Sequence, residues 1–221
     1  MSDRIAVAIE TGTKRVFATA VDWPGWSRSG RTEAAALEAL ASWAPRYANV
    51  AATAGEAFEL PSGTGDLEVV ERLPGDGGTD FGVPSRVSDH DRRPVSVAEA
   101  DRLRRLVAAA WSVFDRAAAG APAELRKGPR GGGRDRDRIV DHVAGADHGY
   151  CGVMGIRVPA PSRDVPESVL IMRTAMLELL GQPSDGAPLN GRKWPPRYAA
   201  ARVAWHALDH AWEIQDRTEP A

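Results

Sequence analysis

The sequence predicts an α+β fold, a small ββαβ module followed by a four-helix bundle, and three observations carry that prediction. The first 75 residues hold short β-favouring runs separated by turn-forming residues. From Ser96 onward the apolar residues recur at helical spacing. No strand-like run interrupts the stretch 95–217, so helices there must bury their apolar faces on one another.

The runs 5–10 and 15–21 flank Thr11-Gly12-Thr13-Lys14, which reads as the turn of an antiparallel hairpin. After Trp23-Pro24-Gly25-Trp26, Thr32 is a candidate N-cap with Glu33 in the first turn. The helix that follows is expected to end at Pro45. Tyr47–Thr53 and Leu67–Leu73 are expected to be further strands, which completes a module over residues 1–75. Residues 76–94 are rich in Gly, Pro, Asp and Arg with little periodicity and read as a linker or a long ordered loop. In 95–217, Ser96 and Glu99 form a capping box, and Leu103, Leu106, Val107, Ala110, Trp111 and Phe114 share one face of the first bundle helix. Three more helices are expected, from about Asp135 to Tyr150, Pro166 to Leu180, and Arg197 to Asp216.

Composition narrows the function classes. Twenty-eight basic against 30 acidic residues give a formal charge of -2, so no overall basic field attracts nucleic acid or an anionic membrane. No run approaches the ~20 apolar residues of a membrane span, and the start lacks a secretory signal, so a cytoplasmic location is expected. The lone Cys151 excludes internal disulfides and CxxC zinc sites. Any metal must therefore be held by His, Asp or Glu.

The five histidines are His90, His142, His148, His206 and His210, and the last four fall on expected helices of the bundle. His206 and His210 are four residues apart, so both rings leave the same side of one helix, about a turn apart. That spacing lets two imidazoles converge on one ion, with His142 on a facing helix as a candidate third ligand. Three neutral imidazoles leave a divalent metal with open positions, as in a catalytic site. Ala207 follows His206, so there is no HExxH motif, and no histidine has Glu three residues before it, so the ExxH di-iron pattern is absent. What remains is a mononuclear site or none.

The segment Asp141-His142-Val143-Ala144-Gly145-Ala146-Asp147-His148 resembles the HVAxAE helix of the DinB-like superfamily, and His206–Glu213 resembles its C-terminal HxxxH helix. The resemblance spans about 96–217. It implies a four-helix bundle, often dimeric, that holds one divalent ion, Zn, Ni or Fe, on His142, His206 and His210. It also implies a thiol-dependent S-transferase or a related hydrolase acting on a small-molecule substrate, with a small thiol as cosubstrate. More weakly, the stretch from Val16 to Leu40, with Asp22, Pro24, Gly25, Gly30 and Thr32, is similar to HicB-like antitoxin domains. There the matching residues are turn formers and a cap, so they imply a fold and no chemistry. The rival expectation is a non-enzymatic interaction or stress-response protein that binds a partner through this N-terminal module.

Other residues leave two readings open. The Arg- and Gly-rich stretch 126–134 before the His142 helix suits either anion binding or a solvated linker. Glu213, three residues after His210, either orients that ring or belongs to a solvated face. Cys151 is either a nucleophile or a small buried residue, and His148, off the His142 face, reads as a rim residue.

Overall fold

The computed structural model describes residues 4–128, 132–162, 164–165 and 167–218. Among these the chain forms a four-stranded mixed sheet and seven helices. In order they are β1 (Ile5–Thr11), β2 (Val16–Ala20), β3 (Ser27–Gly30), α1 (Glu33–Ser42), α2 (Ala44–Ala54), β4 (Leu67–Pro74), α3 (Gly77–Phe81), α4 (Val97–Gly120), α5 (Arg136–Met154), α6 (Glu167–Leu180) and α7 (Pro196–Thr218).

The sheet order is β3-β2-β1-β4. The hairpin places Ile9 opposite Ala18, and β4 returns parallel to β1 after the α1–α2 crossover, with Ile5 opposite Leu67. Strand β3 is an element the sequence reading did not include. The expected strand over Tyr47–Thr53 is corrected: these residues lie in α2, where Pro45 sits in the first turn rather than closing α1. A proline is accepted there because the first helical N–H groups have no intrahelical partner. Ala44, Tyr47, Val50, Ala51 and Ala54 are the buried positions of α2, a spacing of three and four that is helical and not the alternation of a strand. The module is thus βββααβ. Tyr47 stacks on Trp26 at 5.4 Å between ring centroids, and its hydroxyl donates to the Pro24 carbonyl at 2.9 Å. Both rings are fully buried, and burial of each contributes on the order of 2–3 kcal/mol.

Segment 76–94 is an ordered cover rather than a featureless stretch. Asp76 caps α3, and the Glu10 carboxylate, buried at the end of β1, accepts from the Thr79 hydroxyl and from the Ser85 and Arg86 amides. Helix α4 starts at the Ser96 capping box as the sequence predicts, and each of α4, α5, α6 and α7 touches the other three. The start expected for α6 at Pro166 lies outside the described residues. A continuous apolar core joins sheet and helices.

Both α4 and α7 meet the first half: α4 packs along α2 with Arg102 and Arg105 paired to Glu56, and α7 lies against the sheet. Trp205 meets Phe17 of β2 edge to face at 6.3 Å, and Gly25 lies against Ala204 and Leu208. Arg28 of β3 reaches across to Asp209 at 2.9 Å while its guanidinium covers the Trp43 ring at 3.4 Å. No helix among the described residues is long and apolar enough to cross a membrane.

Candidate metal centre

Helices α5 and α7 run past each other with His142 facing His206 and His210. One ring nitrogen from each histidine lies within 4.8 Å of the other two, the ring centroids being 4.8 to 5.0 Å apart. His206 Nε2 and His142 Nε2 are 3.2 Å apart. Two nitrogens bound at about 2.0–2.1 Å to a tetrahedral zinc stand roughly 3.3–3.4 Å from each other, so this pair already has the spacing that coordination requires.

The environment of each ring bears on that fit. His206 is buried, and burial, reinforced by the nearby His210 charge, pushes its pKa down to about 2, so the ring is neutral and able to offer a lone pair at physiological pH. Burial and then His210 also lower His142. The Nδ1 atom of His206 is buried without a hydrogen-bond partner. Its other nitrogen faces a second imidazole nitrogen, and that contact accommodates at most one proton. Without an ion the pair is therefore a poorly satisfied polar contact in a buried place, which costs free energy.

His210 is held from behind. Its Nδ1 lies 2.8 Å from Glu213 Oε2, and Arg217 Nη1 donates to Glu213 Oε1 at 2.8 Å. This fixes the His210 ring with Nε2 turned to the other histidines, the arrangement of a metal ligand supported by a carboxylate. The hydrogen bond with His210, ahead of the Arg217 charge, holds the Glu213 carboxyl below its ordinary range.

The remaining sequence candidates sort clearly. His148 points away, its Nε2 3.1 Å from the Val158 carbonyl oxygen, and lines a separate groove with Ala160 and Pro161. Cys151 is buried, and burial raises its thiol to about 11, so it is the small buried residue and not an activated nucleophile. Asp209 belongs to the Arg28 contact. In the Arg- and Gly-rich stretch, residues 129–131 lie outside the described residues. Arg126 donates to the Asp216 carbonyl and so leans on the end of α7, while the Arg134 charge is felt at both His142 and His206. His90, buried in the cover segment, stands 3.3 Å from Asp22 and far from the other four in role.

Arg202 carried no sequence signal, whereas Tyr150 is a helix aromatic that the sequence leaves open as pocket lining or core. Tyr150 stands with its ring 5.8 Å from His206, backed by Trp194 at 5.1 Å. Arg202, one turn before His206, lies over Tyr150 and Trp205. Asp147, one turn after Val143 on α5, is fully buried and accepts from Trp111 Nε1 at 3.0 Å on the opposite side of the helix from the histidines. Aromatic and charged residues on an amphipathic helix look alike in sequence whether they line a site or cover a surface.

No protein-family model matches this chain, and neither the curated proteins nor the solved structures contain a match to it. The likeness to DinB-like and HicB-like proteins rests on the sequence segments quoted above.

Proposed function

We propose that the chain is a metal-dependent enzyme that binds one divalent ion through His142, His206 and His210 and acts as a thiol-dependent transferase or a related hydrolase on a small molecule. The observation that carries this reading is the convergence of three imidazole nitrogens from two helices, His142 and His206 being 64 residues apart in sequence, to within 4.8 Å of one another. Two helices packed at fixed distance make the set rigid, and burial keeps His206 in the neutral form that can coordinate. A divalent ion held on three neutral imidazoles supplies a Lewis acid that favours thiolate over thiol, or hydroxide over water, at neutral pH. Glu213 orients His210 by accepting a hydrogen bond from its Nδ1–H, while Arg217 holds Glu213 in place. Tyr150 and Trp194 form an aromatic wall beside His206 that excludes water from one flank of the centre.

The test is elemental analysis of the purified protein beside a His206→Ala, His210→Ala double variant, with thermal melting before and after chelation. About one equivalent of metal in the wild type, absent from the variant, with a melting temperature that falls on chelation in the wild type alone, is the expected result. No metal in either protein, and melting that ignores added zinc or nickel, would overturn the reading.

A further inference from the structure

The two ends of the Arg- and Gly-rich stretch before α5 close over the last turn of α7. The Arg126 amide donates to the Arg217 carbonyl at 3.1 Å, and Arg126 Nη2 donates to the Asp216 carbonyl at 2.7 Å. Carbonyls that the helix end would leave open thus find donors in the stretch. Its two legs are joined by the Gly128 amide, which donates to the Gly132 carbonyl at 2.9 Å. Asp135, at the start of α5, ties them again by accepting from the Leu125 amide at 3.2 Å and from the Lys127 ammonium.

The side chain of Arg217 lies between these legs. Its Nε donates to the Arg126 carbonyl at 2.8 Å, and its Nη1 donates to Glu213 Oε1 at 2.8 Å. On the other leg Gly133 has φ +114°, and a Cβ there would stand 2.9 Å from Arg217 Cζ and Nη2 and 3.1 Å from Nη1. Such near-equal distances put the glycine backbone over the flat face of the guanidinium. Arg217 Nη2 is buried with no hydrogen-bond partner. A guanidinium is planar, so holding Nε on one carbonyl and covering one face fixes the direction in which Nη1 points. That direction is Glu213, which in turn holds His210 Nδ1 at 2.8 Å. The atoms that a methyl group at position 133 would strike belong to the far end of a flexible side chain. The guanidinium would therefore be displaced while the fold stays in place.

We propose that Gly133 and Arg126 are positioning residues of the three-histidine centre, which hold Arg217 so that Glu213 turns His210 toward the ion. The proposal rests on the metal reading above. The stretch acts here through its backbone, by the carbonyl of one arginine and the missing side chain of one glycine.

The experiment is competition for zinc between the full-length protein and a chelating indicator, with the melting temperature of the metal-free protein measured beside it. Arg217→Met is expected to weaken zinc binding about tenfold and Gly133→Ala about threefold or more, with the metal-free protein still folded. The Gly133→Ala, Arg217→Met double variant is expected to bind no more weakly than Arg217→Met alone, because the glycine acts through the arginine. Gly132→Ala, where a Cβ meets nothing within 4 Å, is the control for a changed loop and is expected to bind as the wild type does. Arg217→Lys is expected to recover only part of the affinity, since an ammonium lacks the fixed fork that joins the Arg126 carbonyl to Glu213. Unchanged affinity in Gly133→Ala, losses that add in the double variant, or full affinity in Arg217→Lys would overturn the role of the stretch and leave the metal reading standing. Should Gly133→Ala unfold without metal, Arg217→Lys decides. A wild type that binds no zinc overturns both.

Discussion

The Nδ1 atom of His210 lies 2.8 Å from Glu213 Oε2, one helical turn further along α7, and this contact gives the candidate centre its orientation. The carboxylate accepts a hydrogen bond from Nδ1–H and leaves Nε2 free on the side of His142 and His206. Glu213→Gln removes the charge but keeps the shape. It is expected to weaken metal binding about 10- to 100-fold with little change in the melting temperature of the metal-free protein. Competition for zinc against a chelating indicator measures this directly. An unchanged affinity in both Glu213→Gln and Glu213→Ala would show that the contact serves the helix surface instead.

Asp147 gives a pH prediction. Burial, opposed by the Arg173 charge, raises its carboxyl from an ordinary 3.8 to about 7. Between those values the folded protein holds a proton that the unfolded chain has released. The stabilisation from this group is therefore complete below about pH 4 and is lost as the pH rises through about 7. Asp147→Asn fixes the neutral form and still accepts from Trp111. Its melting temperature is expected to fall less than that of the wild type between pH 5 and pH 8. Asp147→Leu instead strands the buried Trp111 Nε1 and should cost about 1–3 kcal/mol at every pH. Parallel pH profiles for wild type and Asp147→Asn would count against a buried carboxyl.

Arg28 ties the sheet to the histidine helix. Its guanidinium lies 3.4 Å from the Trp43 centroid and 4.9 Å from that of Trp212 while pairing with Asp209. Arg28→Ala is expected to cost about 2 kcal/mol in a denaturant titration. Arg28→Lys should recover less than half of that, because an ammonium cannot lie flat between two rings. Full recovery by lysine would reduce the contact to simple charge pairing.

Gly25 tests how closely the module sits on α7. It has φ +92°, and a Cβ there would stand 2.8 Å from Leu208 Cδ1 and 3.1 Å from the Ala204 backbone. Gly55 is also left-handed, at φ +73°, but a Cβ there meets nothing within 4 Å. Gly55→Ala should cost about 1 kcal/mol from backbone strain alone, and Gly25→Ala at least twice that. Equal costs in thermal unfolding would mean that the turn is not pressed against the helix.

The sequence by itself determined the helices of the second half, because capping residues and apolar repeats of three and four are local signals. Ser96 with Glu99, Thr32 and the β1–β2 turn each sit where the sequence expects them. It also placed His206 and His210 on one face of their helix, since residues four apart on a helix must share a face. The same local reading misassigned Tyr47–Thr53, because Pro45 has opposite meanings at the end of one helix and in the first turn of the next. It passed over β3, whose four residues, Ser27–Gly30, carry no alternation and become a strand only by pairing with β2. Only the tertiary structure brought His142 across to His206, paired Arg28 with Asp209, and left Arg202 with two aromatic faces and no acid. Those relationships depend on distances between elements far apart in the chain. Periodicity fixes the face a residue occupies on its own element, whereas packing decides what that face meets.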